Sequence, residues 1–193
     1  MGINTPTALS FAHRLARIDD CPALEALIDA SIRELLKPHL SAAQVEASRE
    51  IMGLDTQLID DRTYFVVESG GRIAGCGGWS RRVTPFGGDH SSNRDDRLLD
   101  PGTDPVRIRA MYTHPDFARR GVGRMILSLC EAAAAEAGFS RVELVATLAG
   151  ERLYAACGYE VLGQVVEITA SGMSIPTVRM AKAIGAPLRV RLE

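Results

Sequence analysis

A chain of 193 residues, 46% apolar and 24% charged, has the composition of a globular protein with a substantial core, and one domain is the expectation. Its 22 basic and 24 acidic residues leave a net charge of −2, so no general surplus of positive charge exists to displace counterions, and no nucleic-acid partner is expected. No apolar run approaches the ~20 residues that cross a bilayer, and the start lacks the charge, apolar stretch and cleavage site of a secretory signal, which predicts a soluble, cytoplasmic chain with no membrane partner.

The leading residues, 1–10, read as a loose leader. Residues 11–17 alternate enough for a short first strand. Asp20, with Pro22 in the first turn, opens a helix through Leu24, Leu27, Ile28, Ile32, Leu35 and Leu36, which Pro38 stops. Ser41 and Gln44 have the spacing of a capping box and predict a second helix over 42–52. Tyr64–Val67 and Ile73–Trp79 read as strands joined across Ser69-Gly70-Gly71, and the glycines of the second mark a bulge or a close approach. Residues 81–104, rich in Arg, Pro, Gly and Asp, read as a long loop on the substrate side, a lid within the same domain.

The most informative stretch follows. Val106–Thr113 favours extended backbone, while Val122, Met125, Ile126, Leu129, Cys130, Ala133 and Ala137 recur at helical spacing. Between them lies Ala118-Arg119-Arg120-Gly121-Val122-Gly123-Arg124. A helix start offers unpaired N–H groups and a positive dipole end, the glycines allow close approach and the arginines add charge; the combination reads as a phosphate cradle. A nucleotide P-loop lacks its Lys-Ser/Thr here, and a dinucleotide loop lacks its third glycine. Farther on, residues 141–146 form a strand, Thr147 caps a helix over 148–157 closed by Gly158, and 159–168 and 175–183 are a last strand pair turning near Ser171-Gly172. The tail from Gly185 has no assigned role. Strands joined by short turns are antiparallel, whereas the helix from Val122 forces a crossover and a parallel pair.

These residues resemble the GNAT superfamily of acetyl-CoA-dependent N-acetyltransferases over about residues 12–183. The family's [Q/R]-x-x-G-x-[G/A] signature falls on Ala118–Gly123, with His114-Pro115-Asp116-Phe117 before it and Leu153-Tyr154-Ala155-Ala156-Cys157-Gly158-Tyr159 after it. The resemblance implies an α/β (α+β) fold: a mixed, mostly antiparallel sheet of about seven strands, splayed after the fourth and flanked by four helices. It implies that Met111, Tyr112 and Thr113 pair through their backbone with the pantetheine arm of acetyl-CoA. By the same resemblance Arg119, Arg120, Gly121, Val122, Gly123 and Arg124 hold its pyrophosphate, and Tyr154 protonates the departing thiolate. The implied reaction is acetyl transfer to a primary amine by direct attack, and the implied partner is a small-molecule or peptide amine; a homodimer stays open. Ala118 stands where the signature has Gln or Arg, and Thr147 where many relatives carry asparagine. The fourth strand offers Arg107 and Arg109 but no carboxylate, so the general base is unassigned among Glu68, Asp89, His90 and His114. A non-catalytic acyl-CoA-binding module is the alternative, and an ATP- or phosphopeptide-binding domain a third.

Other residues read as structural: Trp79 as sheet packing, His114 as a turn residue and Asp89-His90 as part of a solvated loop. Cys21, Cys76, Cys130 and Cys157 form no C-x-x-C pair and read as reduced thiols, with no metal expected.

Overall fold

A computed structural model describes residues 10–91 and 94–185. The expected leader, apart from Ser10, and the tail beyond Gly185 lie outside the described residues. Seven strands form one sheet: β1 (Ala12–Leu15), β2 (Tyr64–Ser69), β3 (Arg72–Ser80), β4 (Val106–Thr113), β5 (Arg141–Thr147), β6 (Glu160–Ile168) and β7 (Ser174–Ala183), in the order β1-β2-β3-β4-β5-β7-β6. Every neighbouring pair is antiparallel except β4 and β5, which are parallel. The crossover between those two is the helix predicted from Val122.

The helices are α1 (Cys21–Leu35), α2 (Ala42–Ala47), α3 (Thr56–Asp60), α4 (Val122–Glu136) and α5 (Leu148–Ala156). Among the described residues there are thus five where four were expected. The unexpected one, α3, is too short for its apolar spacing to stand out. The capping box is present, with Gln44 N–H donating to Ser41 Oγ at 3.3 Å and Ser41 N–H to Gln44 Oε1 at 3.1 Å. Yet α2 ends early, and Ser48–Glu50 tightens into a 3₁₀ turn where Ser48 Oγ donates back to the Gln44 carbonyl at 2.8 Å.

The two sheet faces are covered by different helices. One core joins Leu24, Leu27, Ile28 and Ile32 of α1 with Leu58, Tyr64, Val66 and Cys76. The other joins Val122, Ile126, Leu127 and Cys130 of α4 with Val67, Ala74, Val106, Ile108 and Val142. This is why Tyr64–Val67 of β2 and Ile73–Trp79 of β3 read as near-continuous apolar or glycine runs, since both their faces are buried. Trp79 packs edge-on to Phe139 in the second core, 6.3 Å between rings, as the sequence suggested.

The described residues of the 81–104 loop are held by specific contacts. Arg82 and Leu98 form a β-bridge, Arg82 is bidentate to Asp61 at 2.8 and 2.7 Å, and the loop's far side is fastened through Arg94. Arg94 donates to Asp55 Oδ1 at 2.6 Å, while Arg109 of β4 sits against the other oxygen as an ion pair without the alignment of a hydrogen bond. Asp55 is wholly buried and the Arg109 side chain is 1% exposed, so each needs the other's charge. Burial lowers the Arg109 pKa, and Asp55 counters that effect. Replacing Asp55 by Ala would strand that guanidinium; the expected loss is about 3–5 kcal/mol in unfolding free energy, read by urea denaturation.

Candidate active site

The site begins where two strands part. Strand β4 pairs with β5 only at Val106↔Val142 and Arg107↔Glu143. Arg107 and Glu143 are also ion-paired, and Glu143 takes Arg179 of β7 at 3.3 Å, so the last shared rung is clasped by charge. Beyond it, among the described residues, no strand covers the β5-facing edge of β4. A backbone edge without a partner needs one from water or a ligand.

A bulge sets the turn of that edge. Between Arg109↔Gly78 and Tyr112↔Cys76, β4 spends one residue more than β3, so Ala110 and Met111 share Gly77. Ala110 takes φ = 50°, and its carbonyl accepts the Tyr64 hydroxyl at 3.0 Å. Gly77 is required: a Cβ there would lie 2.7 Å from Met111 Cγ and 2.7 Å from Ile126 Cγ2. The glycines of β3, flagged in sequence as a bulge or close approach, serve both ends.

A cavity of about 780 Å³ fills the split. Met111, Tyr112 and Thr113 line it, as do Gly121, Val122 and Gly123 at the start of α4. Tyr112 is fixed by its hydroxyl, which accepts from Gly53 N–H at 3.0 Å. Arg119 and Arg124 border the cavity; Arg120 does not, and its charge acts instead on Asp116. Gly121 is the N-cap of α4 at φ = 87°, and Arg119 has φ = 62°, a left-handed state that costs an ordinary residue about 1–2 kcal/mol. The first-turn N–H groups of α4 have no intrahelical acceptor, and Val122, Gly123 and Arg124 of that turn line the cavity. Thr147, at the end of β5, caps α5 by accepting Gly150 N–H at 3.3 Å.

Tyr154 lies on α5, 8% exposed, bordering the cavity and edge-on to Tyr159 with ring centres 5.7 Å apart. Burial pushes its phenol well above the ordinary value, with the Cys130 and Cys157 thiols adding to the effect. The four candidate bases do not meet here. Glu68 binds Arg14 at 2.7 Å and His114 Nδ1 accepts Asp116 N–H at 3.1 Å. Asp89 accepts Thr56 N–H at 2.9 Å and His90 reaches the Glu50 carbonyl at 3.0 Å, anchoring the 81–104 loop. None of the four lines the cavity. The lining instead includes Arg152, Phe86, His39 and Glu167, which local motif reading could not find because they converge from α5, the loop, the turn after α1 and the edge strand β6.

The sequence profile of the Acetyltransferase (GNAT) family matches residues 26–159. No curated protein matches the chain. Among solved structures, the GCN5-related N-acetyltransferase from Rhodopseudomonas palustris is similar at a TM-score of 0.68 and 20% identity, over 93% of this chain and 99% of that one. A ribosomal-protein-alanine N-acetyltransferase from Brucella melitensis gives 0.61 at 16% identity, over 89% and 99% of the two chains. The PaiA N-acetyltransferase from Thermoplasma acidophilum, solved with coenzyme A, gives 0.59 at 14% identity, over 90% and 99%. At these identities the likeness is one of fold.

The bulge makes Gly77→Ala a test of the site's frame. It is expected to lower unfolding free energy by about 1–3 kcal/mol through overpacking between α4 and the bulge. Gly163→Ala on β6, where a Cβ meets nothing within 4 Å, is the control and is expected to leave the denaturation midpoint nearly unchanged.

Proposed function

The chain belongs to the GNAT family of acetyltransferases, which take an acyl group from acetyl-CoA, and on that premise we propose that it transfers acetyl to a primary amine by direct attack on the thioester. The observation that carries this reading is the uncovered edge of β4 running from the bulge toward a cationic helix start within one cavity. Acetyl-CoA has the matching parts: an amide-bearing pantetheine arm that can pair with a strand edge, and a pyrophosphate that suits unpaired N–H groups and arginines.

The residues present fit that ligand. Met111, Tyr112 and Thr113 would pair with the arm through their backbone. Gly121, Val122 and Gly123 would offer N–H groups to the pyrophosphate, with Arg119 and Arg124 supplying charge at the cavity and Arg120 only from outside its lining. Ala118 at the signature's first position offers no polar side chain, and Arg119 beside it borders the cavity. When bound, acetyl-CoA supplies an activated acyl group. Backbone N–H groups beside the bulge would polarise the carbonyl that the amine attacks, an interaction strengthened in a site closed from water.

Tyr154 would be the acid that protonates the leaving sulfur. Its buried phenol holds its proton well beyond neutrality, and a thiolate forming in the same apolar surroundings is made more basic by the same loss of hydration, which favours the transfer. Direct transfer is the simplest route because the buried thiols are poor nucleophiles: burial pushes Cys76 up to about 12 and Cys130 higher still.

Tyr154→Phe is expected to cut kcat by about 10²–10⁴-fold in a free-thiol release assay while acetyl-CoA still raises the melting temperature as in wild type. Equal thiol release from mutant and wild type across amines would remove Tyr154 from the role. Stabilisation by acetyl-CoA with no release from any amine of a broad panel would instead point to a non-catalytic acyl-CoA-binding module.

A further inference from the structure

The cavity has two chemically different ends. One carries Arg119, Arg124 and Arg152. The other is walled by Ile32 and Leu36 of α1, by Met52, by Phe86 of the long loop and by Ile175 of β7. Among the described lining residues there is a single carboxylate, Glu167, the strand partner of Ile175 in this second group. Resting on the acetyltransferase reading, we propose that the acceptor is a small primary amine carried on an apolar or aromatic body, and that Glu167 receives its ammonium group and takes up the proton it must lose.

The sheet register places Glu167 on the cavity floor. Glu167 pairs with Ile175 on β7; Thr177, two residues on, pairs with Thr147, the cap of the helix that carries Tyr154. Ile175, Thr177 and Thr147 all line the cavity, so Glu167 is the outermost member of one continuous face. With strands about 4.8 Å apart and residues rising about 3.4 Å, it stands roughly 12 Å from Thr147 across that face. Its strand neighbours Val166 and Ile168 point the other way and are exposed.

The chemistry requires such a group. An alkylammonium, like that of lysine, has a pKa of about 10.4 and arrives charged, whereas only the neutral amine is a nucleophile. One N–H proton must pass to a base before the C–N bond forms. A second leaves the nitrogen as the C–S bond breaks, while the sulfur gains one proton from the acid, so the turnover releases one proton net. The arginines cannot serve as the base and Tyr112 and Tyr154 are held as phenols by burial, which leaves two lining groups: His39, exposed in the turn after α1, and Glu167, on the sheet face that runs to Thr147. Burial also lifts Glu167 above the ordinary glutamate value, toward better matching of a proton acceptor near neutrality. Charged or titratable groups on the surrounding elements include His39, Glu50, Arg109, Tyr112, Arg152, Tyr154 and Arg179. Of these, Arg179 is paired with Glu143 and Glu50 is bound to the β6–β7 turn.

That last contact limits the size of the acceptor. Ser171 N–H donates to Glu50 Oε2 at 2.8 Å, and Gln44 Nε2 donates to the Ser174 carbonyl at 2.9 Å. The turn after β6 is thereby fastened to the N-terminal helical segment beside the acceptor end. A small molecule fits this arrangement better than a lysine on a folded protein.

The test uses acetyl-CoA with 2-phenylethylamine and n-hexylamine as apolar probes and spermidine as a polycation, followed by thiol release. Wild type is expected to favour the apolar amines in kcat/KM by about tenfold or more, the scale that apolar pocket contacts give. Glu167→Gln is expected to lower kcat/KM for them by about 10²-fold, to remove the acid limb of its pH profile and to leave the KM for acetyl-CoA unchanged. The sign follows from charge: the carboxylate is competent above its pKa and fails as pH falls through it. Phe86→Ala, a half-exposed loop position, is expected to weaken apolar amines selectively. Without acetyl-CoA, calorimetry should detect 2-phenylethylamine on wild type and much weaker binding on Glu167→Gln. A preference for spermidine or for a protein lysine overturns the proposal, as does unchanged kinetics in Glu167→Gln; an inward charge that merely guards an edge strand would give the latter together with greater self-association. If acetyl-CoA fails to stabilise wild type, the acetyltransferase reading itself falls, a result separable from any of these.

Discussion

The early parting of β4 from β5 governs the rest of this structure. Two rungs of parallel pairing hold the sheet together, and the Arg107–Glu143 pair closes the second. Past that point the strands diverge, so one edge of β4 is left with backbone donors and acceptors that a seven-stranded sheet would otherwise consume. A longer parallel pairing would fill the cavity with sheet; a shorter one would divide the molecule into two sheets. The clasp is ionic and three-sided, with Arg107, Arg179 and Arg141 around Glu143, so its position is set by side chains from three strands at once.

The bulge, the long loop and the N-terminal helices converge on a second fixed point, Asp55. Through Arg109 it holds β4 immediately before Ala110, and through Arg94 it holds the loop that supplies Phe86. Arg109 and Arg94 also reach the carbonyls of Gly87 and Gly88, at 3.3 and 3.0 Å. The region expected to be a lid is therefore tied to the same buried carboxylate that steadies the strand beneath it. Movement of the loop away from the cavity would expose or unpair charge in the interior, which couples the loop's position to that of the strand.

How much of this was legible in sequence depended on the range of the interactions. The order of strands and helices came from local periodicity, and the crossover helix from a glycine-punctuated stretch with its own signature. The Ser41–Gln44 box was visible because both partners lie within four residues. By contrast α3 has no repeat to read, and Asp55 gives no local sign that two arginines, 39 and 54 positions away, will meet it. Glu167 reads in sequence as one charge in an alternating strand; only the register with Ile175 and Thr177 brings it to a cavity that also borders Tyr154. Glu68, Asp89, His90 and His114 lie nearer to β4 in sequence, but the fold engages them in a salt bridge, a loop anchor and a turn.

Backbone strain marks the same ground by a separate route. Three non-glycine residues among those described have positive φ: Arg62, Ala110 and Arg119. Two of them line the cavity, one at the bulge and one at the start of α4. An unstrained alternative at either position would be glycine, which the chain uses freely at neighbouring Gly121, so the conformations are not beyond its means to relax. Glycine would also widen the range of backbone states in the free protein, and both positions border the same cavity. Holding a side-chain-bearing residue in the left-handed region costs on the order of 1–2 kcal/mol, but the compensation is an edge and a loop fixed in direction before any ligand arrives. The strain at Ala110 and Arg119 is therefore best understood with the pairing limit at Arg107: one opens the site, and the others aim the backbone into it.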